Sequence, residues 1–229
     1  MTEREEFFIV AGYRATVLIP ENANGEWLWK TEFFHAFDKA EQDLYLMGYT
    51  RVYYEISDKY GSPQAIKLMD GFYHELIKRY SFLDKKCHLI GFSRGGLYAF
   101  NFVMAYPQRV KSVYLDAPVL DLRSWPRTDP KFGEINLHEQ VMKEYGFKSE
   151  EEFENYGCYP VWRLAEYFKL NIPTLLIAGT DDTTVTYSEN SQRMIGYCAA
   201  RDKPFIFYVK LGADHHPHSF GNTGGIDMY

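Results

Sequence analysis

The sequence predicts an α/β fold, with one mainly parallel, doubly wound sheet that opens antiparallel. Three observations carry this. Short apolar runs alternate with longer stretches of helical periodicity along most of the chain. Gly and Pro punctuate the joins, as at Gly12, Pro20, Gly48 and Pro63. At 229 residues and 46% hydrophobic, the chain suits one large domain, residues 1–229, and is short for two.

Phe7 to Val10 and Arg14 to Ile19 read as strands about a turn at Gly12. Pro20 to Gly25 breaks the pattern and makes a loop. From Trp27 to Met47 the apolar residues Phe33, Phe34, Phe37, Ala40, Leu44 and Met47 recur at three and four, which predicts a helix ended by Gly48. Arg51 to Ser57 is the next strand. Ser62 then caps a helix with Pro63 in its first turn. Lys86 to Phe92 reads as a buried strand, and Leu97 to Ala105 as helix. Val110 to Asp116 is strand again.

The region from about 120 to 170 differs. It is rich in Trp, Pro, Tyr and charge, with helical periodicity only in pieces: Leu137 to Tyr145, Ser149 to Tyr156 and Val161 to Phe168. We read it as a small helical insertion, a cap across the top of the sheet, whose Trp125, Phe153, Tyr156, Tyr159 and Trp162 would line an apolar pocket. Thr174 to Gly179 returns to strand, Tyr187 to Ala200 is helical, and Pro204 to Lys210 is the last strand. A His-rich loop, Gly212 to Gly221, follows.

Composition excludes several classes of function. The net charge is −6 with no basic block, which argues against nucleic acid as a partner. Three scattered cysteines, Cys87, Cys158 and Cys198, give neither a disulfide framework nor zinc-type pairing, and fit a reducing, cytoplasmic setting. The acidic start Met1 to Glu6 does not open a signal peptide. No run of 18 apolar residues exists, so no membrane insertion is expected.

The chemistry centres on Gly91-Phe92-Ser93-Arg94-Gly95, set between a strand and a helix. A turn this tight holds Ser93 at a strained backbone angle with its hydroxyl presented above the sheet edge, and the helix start beside it favours developing negative charge. A serine hydroxyl is a weak nucleophile near neutral pH and needs a base, normally a histidine oriented by a carboxylate. Two later loops at strand ends supply these groups. Gly179-Thr180-Asp181-Asp182 offers Asp181 and Asp182, with Asp116 as a third acid on a neighbouring strand. Gly212-Ala213-Asp214-His215-His216-Pro217-His218 offers three histidines. Either aspartate could instead cap a helix. The histidine cluster lacks a completing carboxylate or cysteine set, so no metal is expected.

These motifs resemble those of the α/β-hydrolases: Gly91 to Gly95 the nucleophile elbow, Gly179-x-x-Asp182-x-x-Val185 the acid loop, and Gly212-x-x-His215 the histidine loop. Finer features, Gly-Phe-Ser-Arg-Gly-Gly-Leu-Tyr and His-His-Pro-His-Ser among them, resemble a bacterial subgroup of uncharacterised, esterase-like hydrolases. The resemblance implies Ser93 as nucleophile, His215 as base and Asp182 as acid. It also implies an oxyanion hole made by the backbone N–H of Arg94 and by one from the loop after an early strand, with Asn22 or Ala23 preferred. One departure is the Gly-rich stretch Ser219 to Tyr229, where the family usually has a helix; it points to a truncated or exchanged C-terminus.

The expected function is a serine hydrolase that cleaves a carboxylic ester of small or medium size through an acyl-Ser93 intermediate, with no cofactor. Trp27, Trp29 and Trp125 would border the cleft and suit an apolar acyl group or the sugar face of an acylated carbohydrate. The alternatives are acyl transfer by the same three residues, or a ligand-binding module that keeps the pocket and does little chemistry.

Overall fold

The chain opens with a hairpin, β1 (Arg4–Val10) and β2 (Tyr13–Ile19), turned through Ala11 and Gly12, both at positive φ. There follow β3 (Trp27–Lys30), α1 (Lys39–Leu46), β4 (Thr50–Tyr54), α2 (Pro63–Arg79), β5 (Cys87–Phe92), α3 (Gly95–Ala105) and β6 (Val110–Asp116). Beyond β6 lie a small ladder, β7 (Lys131–Phe132) with β8 (Ile135–Asn136), and three short helices, α4 (Leu137–Tyr145), α5 (Glu150–Glu154) and α6 (Leu164–Lys169). Finally come β9 (Thr174–Gly179), α7 (Ser191–Cys198) and β10 (Phe205–Lys210). This computed structural model describes residues 4–126, 131–132, 135–199, 201 and 203–215.

Among the described residues, eight strands form one sheet in the order β1-β2-β4-β3-β5-β6-β9-β10. The hairpin joins antiparallel to β4, and from β4 to β10 every pairing is parallel. The fold is the doubly wound, mostly parallel sheet that the alternation of runs predicts. All six parallel strands end at one edge, where the loops after Lys30, Tyr54, Phe92, Asp116, Gly179 and Lys210 meet.

The segment from Trp27 to Met47 departs from its predicted helix. Trp27, Leu28, Trp29 and Lys30 are all buried because β3 lies in the middle of the sheet, between β4 and β5. A four-residue run covered on both faces has no amphipathic period, so the helical spacing that follows it masks the strand. Phe33 and Phe37 then take positive φ, 57° and 52°, which breaks any helix there, and α1 begins only at Lys39.

This corrects the reading of Trp27 and Trp29 as cleft residues. Their indoles stack at 5.9 Å in the core, Trp29 packs edge-on against Phe72 and Phe102, and Trp27 Nε1 donates to the Asp84 carbonyl at 2.9 Å. They belong to the large apolar cluster beneath α2 and α3. Leu28 and Lys30 alternate to the other face. There Lys30, as buried as its partner, forms an ion pair of 2.6 Å with Glu41 and lies over the Phe92 ring, tying α1 to the sheet.

The region 120–170 keeps its helical pieces, with Asn136 and Ser149 capping α4 and α5 through their side chains. Val161 to Phe168 divides into a 3₁₀ turn at Pro160–Trp162 and α6. Its aromatics mostly form the region's own core: Phe153 and Tyr159 are buried, and Tyr145, Phe147 and Tyr156 stack around them. Trp162 faces outward between Arg123 and Arg193. Of the expected pocket residues, Phe153, Tyr156 and Tyr159 thus pack within the region itself and Trp162 faces outward. The helix α4 docks on the turn after β4 through Lys59 to Glu144 at 3.2 Å and Tyr145 Oη to the Tyr60 carbonyl at 2.9 Å.

Candidate active site

Ser93 sits between β5 and α3 with φ at +50°, in the left-handed region where a side chain is strained. Close packing explains the flanking glycines. A Cβ at Gly91 would stand 2.9 Å from the Gly95 carbonyl oxygen, and one at Gly95 only 2.8 Å from Thr31 Oγ1. Helix α3 can therefore start directly beneath the serine.

The loops after β9 and β10 meet Ser93 at the carboxyl edge. His215 Nε2 lies 2.9 Å from Ser93 Oγ, and His215 Nδ1 lies 2.8 Å from Asp182 Oδ2. An ionised carboxylate accepts only, so Nδ1 carries the proton and Nε2 is left bare toward the hydroxyl. Asp182 is held in turn. Its Oδ1 accepts from the amides of Thr184 and Val185 at 3.0 and 2.8 Å. Asp214 fixes the histidine loop by accepting from the amides of His215 and Thr183. Asp182 and His215 are both buried, so their interaction is shielded from water.

The other candidate acids stand elsewhere. Asp181 accepts from its neighbour Thr180 Oγ1 at 2.8 Å and is exposed. Asp116 is buried and accepts from Tyr114 Oη at 2.5 Å. His216 and His218 lie outside the described residues. Among the described residues no group of three His, Cys, Asp or Glu side chains could hold a metal ion, and no helix is long and apolar enough to cross a membrane.

Asn22 and Ala23, named as oxyanion donors, are at the wrong edge. Strand β2 runs antiparallel to β4, so its carboxyl end lies beside the start of β4 rather than its end. Asn22 Nδ2 accordingly donates to the Leu46 carbonyl, and the Asn24 amide to that of Gly48, just before β4. The early strand whose end does reach Ser93 is β3. Thr31 Oγ1 lies 3.0 Å from the Ile90 carbonyl oxygen and 2.9 Å from that of Gly95, which pins the loop from Thr31 to Phe34 against the elbow. The signal for it was Trp-Leu-Trp straight after the Gly25 turn.

That loop also brings in Glu32, which the sequence reading did not single out. Its carboxylate is buried beside the elbow, and its Oε2 accepts from Ser57 Oγ at 2.9 Å and from Arg94 Nη2 at 3.3 Å. Tyr53 Oη lies 3.1 Å from Ser57 Oγ. Burial pushes the Glu32 carboxyl above the usual carboxylate range, against the lowering pull of Arg94 and Ser57. Burial, and then the charge of Glu32, push the Tyr53 hydroxyl up to about 12. Trp125 is half-buried, 6.5 Å from Tyr60 in the turn after β4, and so remains on the carboxyl side of the sheet.

Residues 48–225 match the model of the prolyl oligopeptidase family, a peptidase family. The fold superposes on dipeptidyl peptidase 4 of Porphyromonas gingivalis with a TM-score of 0.70 and 13% identity, over 100% of this chain and 35% of that one. An acylaminoacyl peptidase of Pyrococcus horikoshii gives 0.69 and 16%, over 97% of this chain and 39% of that one. An esterase of Pyrococcus furiosus gives 0.64 and 14%, over 99% of this chain and 88% of that one. The chain thus spans well under half the length of the peptidases and most of the length of the esterase. No functionally curated protein matches the sequence.

Proposed function

The chain belongs to the prolyl oligopeptidase family, and from that premise we propose that it is a serine hydrolase that cleaves small or medium carboxylic esters through an acyl-Ser93 intermediate. The single observation that carries the reading is the continuous line from Asp182 through His215 to Ser93, with both bonds under 3 Å. Ser93 Oγ attacks the ester carbonyl as His215 Nε2 takes its proton, and Asp182 stabilises the imidazolium that forms. The backbone N–H of Arg94, with one from the loop Thr31 to Phe34, faces the developing oxyanion. Collapse expels the alcohol, which receives its proton from His215. Water, activated by the same imidazole, then releases the acid.

Esters are the leading reading because a serine activated by a histidine needs only an acyl carbonyl with a good leaving group, and an esterase shares this fold. An amide substrate is the second reading, favoured by the family itself. An acylated sugar has lost its main support, since Trp27 and Trp29 are in the core. The region 120–170, docked on the turn after β4, supports a roof over the site, and Trp125 packs beside Tyr60 of the same turn. Three unpaired cysteines support a reducing, cytoplasmic compartment.

A fluorophosphonate probe, followed by p-nitrophenyl esters of increasing acyl length, tests this. Stoichiometric labelling at Ser93 with turnover of the short esters is expected. A folded, unlabelled protein would point to a binding module instead.

A further inference from the structure

The groups at the ends of β3, β4 and β5 form a polar cluster that acyl transfer itself does not use: Glu32, Ser57 and Arg94. All three follow parallel strands at the edge that carries Ser93. Arg94 is the residue next to the nucleophile, and its guanidinium is partly exposed beside the exposed ring of Phe33, 5.1 Å away.

The protein contains a ready comparison for this pair. Arg123 closes a two-pronged fork on Asp121, with Nε at 2.9 Å and Nη2 at 2.6 Å. Arg94 makes one contact with Glu32, at 3.3 Å, and its Nε is buried with no partner among the described residues. Glu32 Oε1 is unpartnered in the same way. An Arg–carboxylate pair kept for stability alone would be expected to close its fork, since unspent donors and acceptors out of water are costly. Held by one contact and partly exposed, the guanidinium has donors to spare beside the nucleophile. A planar fork with two donors fits a carboxylate better than any neutral group.

We propose that Arg94 binds a carboxylate on the substrate's acyl group, so that the enzyme prefers half-esters of short dicarboxylic acids to neutral esters. The proposal rests on Ser93 being the nucleophile. An acyl chain with a second carboxylate a few carbons from the scissile carbonyl would span the gap between Ser93 and the guanidinium one residue on. Glu32 orients Arg94 and also competes for it. Burial already disfavours the charged form of Glu32, which weakens that competition.

The test compares kcat/KM for p-nitrophenyl monoglutarate with that for its methyl-capped neutral diester, background hydrolysis subtracted. In the wild type the charged substrate should lead by about tenfold or more. In Arg94→Met the ratio should fall to about one. In Glu32→Gln, an isosteric change that removes the competing charge, the ratio should rise. A wild-type ratio near or below one, or a ratio unchanged in Arg94→Met, overturns the proposal. Should Arg94→Met not fold, Glu32→Gln decides, and a ratio that stays level or falls rejects the subsite. Fluorophosphonate labelling of Ser93 in the same preparations separates the two ideas. Labelled enzyme without a preference loses only this subsite, and unlabelled enzyme loses the serine mechanism.

Discussion

The Ser93 carbonyl oxygen accepts the amide of Val119 at 2.8 Å, while the Ser93 amide donates to the Asp116 carbonyl at 2.9 Å. The chain leaving β6 thus clamps the strained serine from both sides through main-chain atoms alone. The hydroxyl has no part in the clamp.

Ser93→Ala should therefore fold as the parent does and lose on the order of 10³-fold or more in kcat, because triad members act as a unit. Melting temperature and p-nitrophenyl acetate turnover check this together. More than a tenth of parental turnover would rule out Ser93 as the nucleophile.

Three aspartates can be separated by substitution. Asp182→Asn leaves the histidine without an acceptor-only partner and should cost about 10²-fold or more in kcat/KM. Asp181→Asn should remain within about twofold, since among the described residues its carboxylate bonds to a neighbouring threonine alone, in an exposed loop. Asp116→Asn should lower stability more than rate, through its bond with Tyr114. A rate collapse in Asp116→Asn would move the acid to β6.

Gly95→Ala tests the placement of the oxyanion loop. The new methyl would meet Thr31 Oγ1 and Glu32 Cβ at 2.8 and 3.1 Å, so the loop must retreat from the elbow. We expect kcat to fall about 10- to 100-fold with little change in KM. Gly71→Ala is the control. No described residue lies within 4 Å of its added carbon, and removing a glycine from α2 should stabilise by up to about 1 kcal/mol. Unaltered kcat in Gly95→Ala would show that the loop does not build the hole.

Glu32 makes stability depend on pH with a definite sign. At low pH it is protonated in both folded and unfolded chains. As pH rises, the unfolded chain releases the proton first, because the folded pKa is raised by burial. Stability must then fall until the folded group ionises too, after which the cost is constant. Glu32→Gln should reduce the drop in melting temperature as pH rises from about 4, where the unfolded carboxyl ionises. An equal drop in both proteins would mean that burial of this charge carries no net penalty.

Legibility in the sequence followed the physics of each segment. The elbow could be read because strain, close packing and a helix start all demand small or particular residues within five positions. The acid and histidine loops could be read because each follows a clean apolar run. Strand β3 could not, because a central strand buried on both faces has no alternation, and Phe33, Phe34 and Phe37 offered a false helical period beside it. That one error moved the expected oxyanion donors to Asn22 and Ala23, away from the end of β3 beside Ser93, put Trp27 and Trp29 in the cleft, and concealed Glu32. A buried carboxylate is visible only once its partners Ser57 and Arg94, from two other strands, are brought alongside.

The bond between Ser93 and His215 joins positions 122 residues apart. On the ribosome, the elbow and the strands that clamp it are synthesised well before the base emerges. A partly made chain, or one clipped within the loop after β10, would carry a shaped but unactivated serine that cannot acylate itself on passing esters by this route. In refolding, turnover of p-nitrophenyl acetate should report closure of the Ser93–His215 contact rather than formation of the sheet, and should return after the bulk of the secondary structure.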